Sequence, residues 1–309
     1  MVKFEPSSDS GPLFSAIIGA FNDWAPLNEC LRSLAEQNGG TSLEVIVVDD
    51  GSREAAPQCI EDWSRSFPLR IERGEHLGIS TARNQGVRLA KGAVLLFVDA
   101  DCKIEADCLV ALASTVERWP GHNCFQLRLV GESSTLLGRV EELRLLTLQS
   151  HLLQPDGCIR YLNTAGFALR RTRVDMEKGV FDPTAIRAED TLLLANMMQT
   201  GEMPFFVGDA RVQHAVSLSL MKCLVKDIRS AYLEGKTYNV IDAKGVRIRV
   251  THRERLRMLG SMWQVSKQES IGRTAWFVLV FRQILRLAIL QFTSTFRIKP
   301  DPNRGPDSP

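Results

Sequence analysis

The stretch Val94 to Asp101, V-L-L-F-V-D-A-D, limits the possible folds more than any other in the 309-residue sequence. Its five successive apolar residues, bounded by Gly92 and two carboxylates, read as a strand buried on both faces of a parallel sheet. Asp99 and Asp101 then lie at the carboxyl end of that strand, the edge at which open α/β sheets bind ligands. Alternate residues of an extended chain point the same way, so both acids can face one ligand, and like charges held together favour a divalent cation. A plainer reading, a solvated turn after a strand, fits D-A-D alone equally well.

The neighbouring segments alternate in kind. Leu13 to Ile18 is a first apolar run, followed by a helix with Pro26 in its first turn, Leu27, Leu31, Leu34 and Ala35 at helical spacing, and a stop at Asn38-Gly39-Gly40. Leu43 to Val48 is a second buried strand ending in Asp49 and Asp50, with Gly51-Ser52 as a turn. Leu69 to Glu72 is a third, and Ser80 to Ala90 a helix with Arg83 and Asn84 in its first turn. Such alternation predicts an α/β fold, a doubly wound, mostly parallel sheet. A helix over about 106–119, a strand over 124–130 and an amphipathic helix over about 135–153 follow.

Residues 160–214 are less regular. Glu189 and Asp190 head an apolar helix running to Met198, and by themselves they read as a helix start stabilised by the dipole. His214, closing the segment after a strand, reads first as a partly buried core residue. No linker interrupts residues 13–215, which are expected to form one domain. Residues 1–12 lack the apolar core of a signal peptide and read as a disordered lead-in, and 300–309 as a disordered tail. Seven cysteines without a C-x-x-C pair point to a reducing, cytoplasmic setting and away from zinc or a disulfide framework.

Taken together, V-V-D-D-G-S at 47–52, A-R-N-Q-G at 82–86, V-D-A-D at 98–101, N-T-A-G-F-A-L-R-R at 163–171, A-E-D at 188–190 and V-Q-H at 212–214 resemble, in that order, the family 2 glycosyltransferases. The resemblance covers residues 13–215. It implies a GT-A fold, a nucleotide-diphospho-sugar donor such as a UDP-sugar, a divalent metal (Mn or Mg) and inversion at the anomeric carbon. Carried over residue by residue, it implies Asp99 near the ribose and Asp101 on the metal, with Asp99 and His214 as further metal-site residues. Asp49 or Asp50 would accept from the base, Arg83 would lie against base or phosphates, and Asp190 would be the catalytic base, with Glu189 orienting acceptor or loop. The processive members' Q-x-x-R-W-type motif is absent after Met221, which implies addition of single sugars. A saccharide or lipid-linked acceptor, in cell-surface polysaccharide or glycolipid assembly, follows as the expected partner. A non-catalytic nucleotide-sugar-binding or scaffold protein of the same fold is the alternative, and a dinucleotide-binding protein is disfavoured because G-A-F-N-D-W follows the first strand where G-x-G-x-x-G is needed.

The last third differs in charge. From Arg211 onward there are about 18 Lys and Arg against about 7 Asp and Glu, although the whole chain is formally +2. Helical patterns run from Leu218 to about Tyr238 and from about His252 to Gln268, so 216–299 reads as a basic helical extension. The run 276–296 is apolar but interrupted by Arg282 and Arg286, which disfavours a membrane span. Two readings stay open: an interfacial helix on anionic lipid, offering Phe277, Leu279, Val280, Ile284, Leu287 and Leu290 for burial with both arginines at the headgroups, or a helix packed on the domain or a partner. No nucleic-acid-binding motif accompanies the Arg-rich run.

Overall fold

Three of the apolar runs are strands sealed on both faces. They are β1 (Phe14–Ala20), β2 (Leu43–Asp49) and β4 (Val94–Asp99), parallel neighbours whose alternate side chains enter two different cores. Phe14, Ala16, Ile18, Val45, Val47, Leu96 and Val98 meet α1 (Trp24–Ala35), Ile60 of the short α2 (Gln58–Glu61) and α4 (Cys108–Arg118). Ile17, Ile46, Val48, Leu95 and Phe97 meet α3 (Ile79–Leu89), Phe181 and α6 (Glu189–Gln199). Each large apolar side chain contributes roughly 1.5–3 kcal/mol on burial, and the polar residues Ser15 of β1 and Glu44 of β2 satisfy each other, Ser15 Oγ donating to Glu44 Oε1 at 2.5 Å. The computed structural model describes residues 11–131, 134–185, 188–214, 221, 223–225, 241, 244–246, 248 and 250–295. The expected lead-in, the helix over 218–238 and the tail lie mainly or wholly outside the described residues.

The eight-stranded sheet has the order β3-β2-β1-β4-β7-β6-β8-β5, where β3 is Leu69–Arg73, β5 Cys102–Ile104, β6 Cys124–Gly131, β7 Phe167–Arg170 and β8 Phe205–His214. The half from β3 to β4 is wholly parallel, as expected. The other half is mixed: β7 runs antiparallel between β4 and β6, and β5 antiparallel to β8. The segment around Phe167, read from sequence as irregular, is therefore inside the sheet. A register shift between Leu127 and Arg128, where β6 pairs with β8, sets Gly131 opposite His214.

Helix α5 (Leu136–Leu152) packs on β6, and Gln149 ties the two together by accepting from Leu129 N at 2.9 Å and donating to Leu129 O at 2.7 Å. Its other side holds α7 (His252–Gln268), opened by a Thr251/Glu254 capping box, and α8 (Arg273–Thr295). Val140, Leu143 and Leu146 of α5 meet Met258, Met262, Ala275 and Leu279 in a third core. This corrects the interfacial grouping of residues 276–296: Leu279 is fully buried against the domain, whereas Phe277 and Ile284 are exposed. Burial pushes the carboxyl of Glu141 upward, but Arg144 above all, with His214 and the half-buried Arg282 behind it, holds it at about 2. The side chains of Arg286, Leu287 and Leu290 lie outside the described residues. No described helix is long and apolar enough to cross a membrane.

Candidate active site at the carboxyl edge of the sheet

Parallel register brings the acids to one edge. Asp49 pairs with Ala20 and Asp99 with Gly19, so β2, β1 and β4 end level. Asp49 is buried; its Oδ1 accepts from Ser52 N at 2.8 Å and its Oδ2 stands 3.7 Å from Arg73 Nε. Asp50 accepts from Gly78 N through both oxygens, at 3.2 and 3.0 Å, where α3 begins. Both acids thus hold the turns that frame the edge, and each carboxylate retains acceptor positions for a ligand. Beside them the exposed ring of Phe21 stacks on His76 at 4.2 Å between centroids, a pair that no sequence signal singled out.

Arg83 links this edge to α6. Its Nη2 donates to Asp99 Oδ1 and its Nη1 to Glu189 Oε1, each at 2.7 Å, and the guanidinium lies 5.4 Å from the centre of the Phe181 ring. Burial opposes its charge, but the two acids raise its pKa. The sequence placed Arg83 against base or phosphates and Glu189 against acceptor or loop; the structure joins them to each other. Asn84 pins the Phe181 loop, accepting from Val180 N and Phe181 N at 2.9 Å and donating to Phe181 O at 2.7 Å. The A-R-N motif therefore spends Arg83 on joining α3 to β4 and the first residue of α6, and Asn84 on the Phe181 loop before that helix.

Asp190 sits in the first turn of α6 behind Ala188, whose left-handed φ of 60° is unusual for a residue with a side chain and turns the chain sharply into the helix. Its Oδ1 accepts from Thr191 N at 2.6 Å and Thr191 Oγ1 at 3.1 Å. Burial first, and the neighbouring Glu189 second, push its pKa up to about 7. A carboxyl poised there is a competent proton acceptor near neutral pH, because it is both ionisable and basic.

At the other side of Asp99, His214 stands opposite Cys102 where β8 pairs with β5, and its Nε2 is 3.7 Å from Asp101 Oδ2. Among the described residues, His214 Nδ1 is buried without a hydrogen-bond partner, and the ligand atoms of Asp101, Cys102 and His214 all lie within 4.8 Å of one another. An imidazole whose Nε2 faces a carboxylate at 3.7 Å and whose Nδ1 has no competing partner fits a divalent cation of Mn or Mg type. Burial, and after it the charges of Asp99 and Asp101, raise the Cys102 thiol well above its ordinary value, and a hard cation of this type prefers the oxygen and nitrogen donors beside it. The described cysteines are all free, and only Cys59 among them is exposed.

Comparison with known proteins bears on both the sequence and the fold. The putative glycosyltransferase EpsH of Bacillus subtilis (strain 168) is 31% identical over 97 residues, which span 31% of this chain and 28% of that one. The mannosyltransferase PcManGT from Pyrobaculum calidifontis, solved with GDP-Man and Mn2+, superposes with a TM-score of 0.62 at 14% identity, over 94% of this chain and 89% of its own. Residues 1–349 of S. aureus TarS, solved with UDP, superpose with a TM-score of 0.52 at 18% identity, over 91% and 90% of the two chains. At such identities the likeness establishes the GT-A fold. The family described as "Glycosyl transferase family 2" matches residues 15–178, more than half of the sequence, and on that match the chain belongs to it.

Proposed function

We propose that the chain transfers a single sugar, with inversion, from a nucleotide-diphospho-sugar to a hydroxyl acceptor. The observation that carries this reading is the Arg83 fork, which ties Asp99 at the sheet edge to the helix bearing Asp190. A base held at a fixed distance from the donor edge, on the side away from the leaving group, suits a single in-line displacement. Asp190 takes the acceptor proton, and Glu189 and Arg83 position it. Asp101 and His214 would hold the cation, with Asp99 alongside. A bound divalent ion supplies positive charge to the departing diphosphate. Mn2+, GDP-Man and UDP in the structures of PcManGT and TarS support a metal and a nucleotide donor.

A UDP-hexose or UDP-N-acetylhexosamine donor, with Asp49 or Asp50 accepting from the base, is our preferred assignment. The acceptor is a saccharide or lipid-linked hydroxyl on the cytoplasmic side, in polysaccharide or glycolipid assembly. We also divide the chain near residue 215 into a catalytic domain over 13–215 and a basic helical extension over 216–299. The test is turnover of the full chain with a panel of UDP- and GDP-sugars, with Mn, Mg or chelator. Nucleotide release that needs a metal and a product of inverted anomeric configuration are expected. Metal-independent turnover or retention would overturn the mechanism, and failure to bind any nucleotide would overturn the donor class.

A further inference from the structure

We propose that the outward faces of α7 and α8 form a docking surface for an anionic lipid bilayer. The inward faces of these helices are occupied by the third core, so what remains open is defined by that packing. On α8 the open face carries Phe277, Phe281 and Ile284, exposed by 63%, 60% and 56%. These fall at positions i, i+4 and i+7 and so form one stripe. On α7 Leu256 is 67% exposed, with Arg253 and Arg257 exposed beside it.

Ring contacts make the two faces one patch. The Trp263 ring of α7 lies 5.3 Å from that of Trp276 on α8, which lies 4.8 Å from Phe277. Lys267 Nζ stands 4.9 Å from the Trp263 ring centre, and Arg273 approaches the same ring at 6.0 Å. The Trp263 indole with two cations near it, joined through Trp276 at the margin of the third core to the bare Phe277 ring, suits the boundary between headgroups and acyl chains.

Charge decides between lipid and a second copy of this chain. Arg253, Arg257, Lys267 and Arg273 are exposed on the two helices and the turn joining them, against Glu269 as the one exposed acid among the described residues there. In a two-fold dimer the same patch would meet itself, setting cations against cations. An anionic bilayer offers the opposite charge over a flat area and accepts the apolar stripe as well, each basic residue near it strengthening binding about fivefold at low salt.

The experiment is co-sedimentation of the full chain with phosphatidylcholine vesicles and with vesicles containing phosphatidylglycerol, at low and high salt. Binding is read without turnover, so the outcome is independent of the proposed reaction. The wild type should favour anionic vesicles and weaken with salt. Phe277→Ser with Phe281→Ser, and separately Arg253→Glu with Arg257→Glu, should each lower affinity at least tenfold. Val110→Ser, an exposed apolar position on α4, should leave it unchanged. The arginine pair keeps the idea open to refutation even if the phenylalanine pair disturbs folding. Absence of binding to anionic vesicles, equal binding by the arginine pair, or a wild-type dimer that the phenylalanine substitutions dissociate would overturn it, the last in favour of a second copy.

Discussion

Asp190 is the residue on which the proposed chemistry turns, and its titration has two signatures of opposite sign. As a base it must be ionised, so kcat/KM should rise with pH through about 7 and level off above it. For stability, its raised folded-state pKa means that the native state holds a proton the unfolded chain has lost between about pH 4 and 7. Its favourable contribution is therefore complete below the unfolded value and is lost as pH rises through about 7. Asp190→Asn should remove both effects: turnover falls on the order of a hundredfold or more, while urea denaturation at pH 8 compared with pH 5 shows a smaller loss of stability than in wild type. A wild-type acidic limb that persists in the variant would assign the base elsewhere, with Glu189 next. Arg83→Lys keeps the charge but not the fork, and should cost on the order of 2 kcal/mol of stability and lower kcat more than it weakens UDP binding. Equal losses in both would mean that Arg83 serves the nucleotide directly. Asp49, Asp50, Asp99, Asp101 and Asp190 could all be singled out from sequence, because each follows or heads a strongly patterned element. The partners of Arg83 could not, since Glu189 is 106 residues away and only the closed fold brings them together.

Among the elements, the parallel half of the sheet was readable because three of its four strands, β1, β2 and β4, are largely apolar runs flanked by turn residues. The strands β5 and β7 were not, having three and four residues, too few for any period to emerge. Their placement is decided by neighbours: Gln126 Nε2 donates to Gly166 O at 2.9 Å and Asn163 N donates to Gln126 Oε1 at 2.7 Å, which steers the chain into β7. Close approach also sets where α5 lies. A Cβ on Gly131 would come within 2.5 Å of both Glu142 N and Gly138 O, which are backbone atoms of α5 and cannot turn aside. Gly131→Ala is expected to cost about 1–3 kcal/mol, read by chemical denaturation. Gly260, inside α7, would meet nothing within 4 Å, so Gly260→Ala should stabilise by about 0.4–1 kcal/mol. If the two variants behaved alike, backbone proximity would not be what positions α5.

At the scale of the whole molecule, the C-terminal helices show why periodicity alone could not assign them. Helix α8 is apolar around most of its circumference, so the sequence leaves open whether its apolar residues meet lipid or pack on the domain, and cannot rank them by face. Packing ranks them: Ala275 and Leu279 go inward, Phe277 and Phe281 outward, and Arg282 is half-buried between them. This arrangement makes α7 and α8 part of what stabilises α5 and the sheet beneath it. Met258, Met262 and Leu279 cover Val140, Leu143 and Leu146, and each covered side chain is worth roughly 1.5–3 kcal/mol. Ending the chain after Val250 should therefore lower stability by several kcal/mol, a large part of the total available to a typical domain. The damage should also reach the site, since α5 lies on β6 and Gly131 of β6 stands opposite His214. We expect the shortened chain to melt well below the full chain and to lose metal-dependent nucleotide binding, whereas Phe277→Ser with Phe281→Ser should keep both. Thermal melts and UDP titrations with Mn, run on the two proteins, check this. A shortened chain that melts and binds UDP like the full one would reduce α7 and α8 to an appended surface, coupled to the sheet by nothing but the chain.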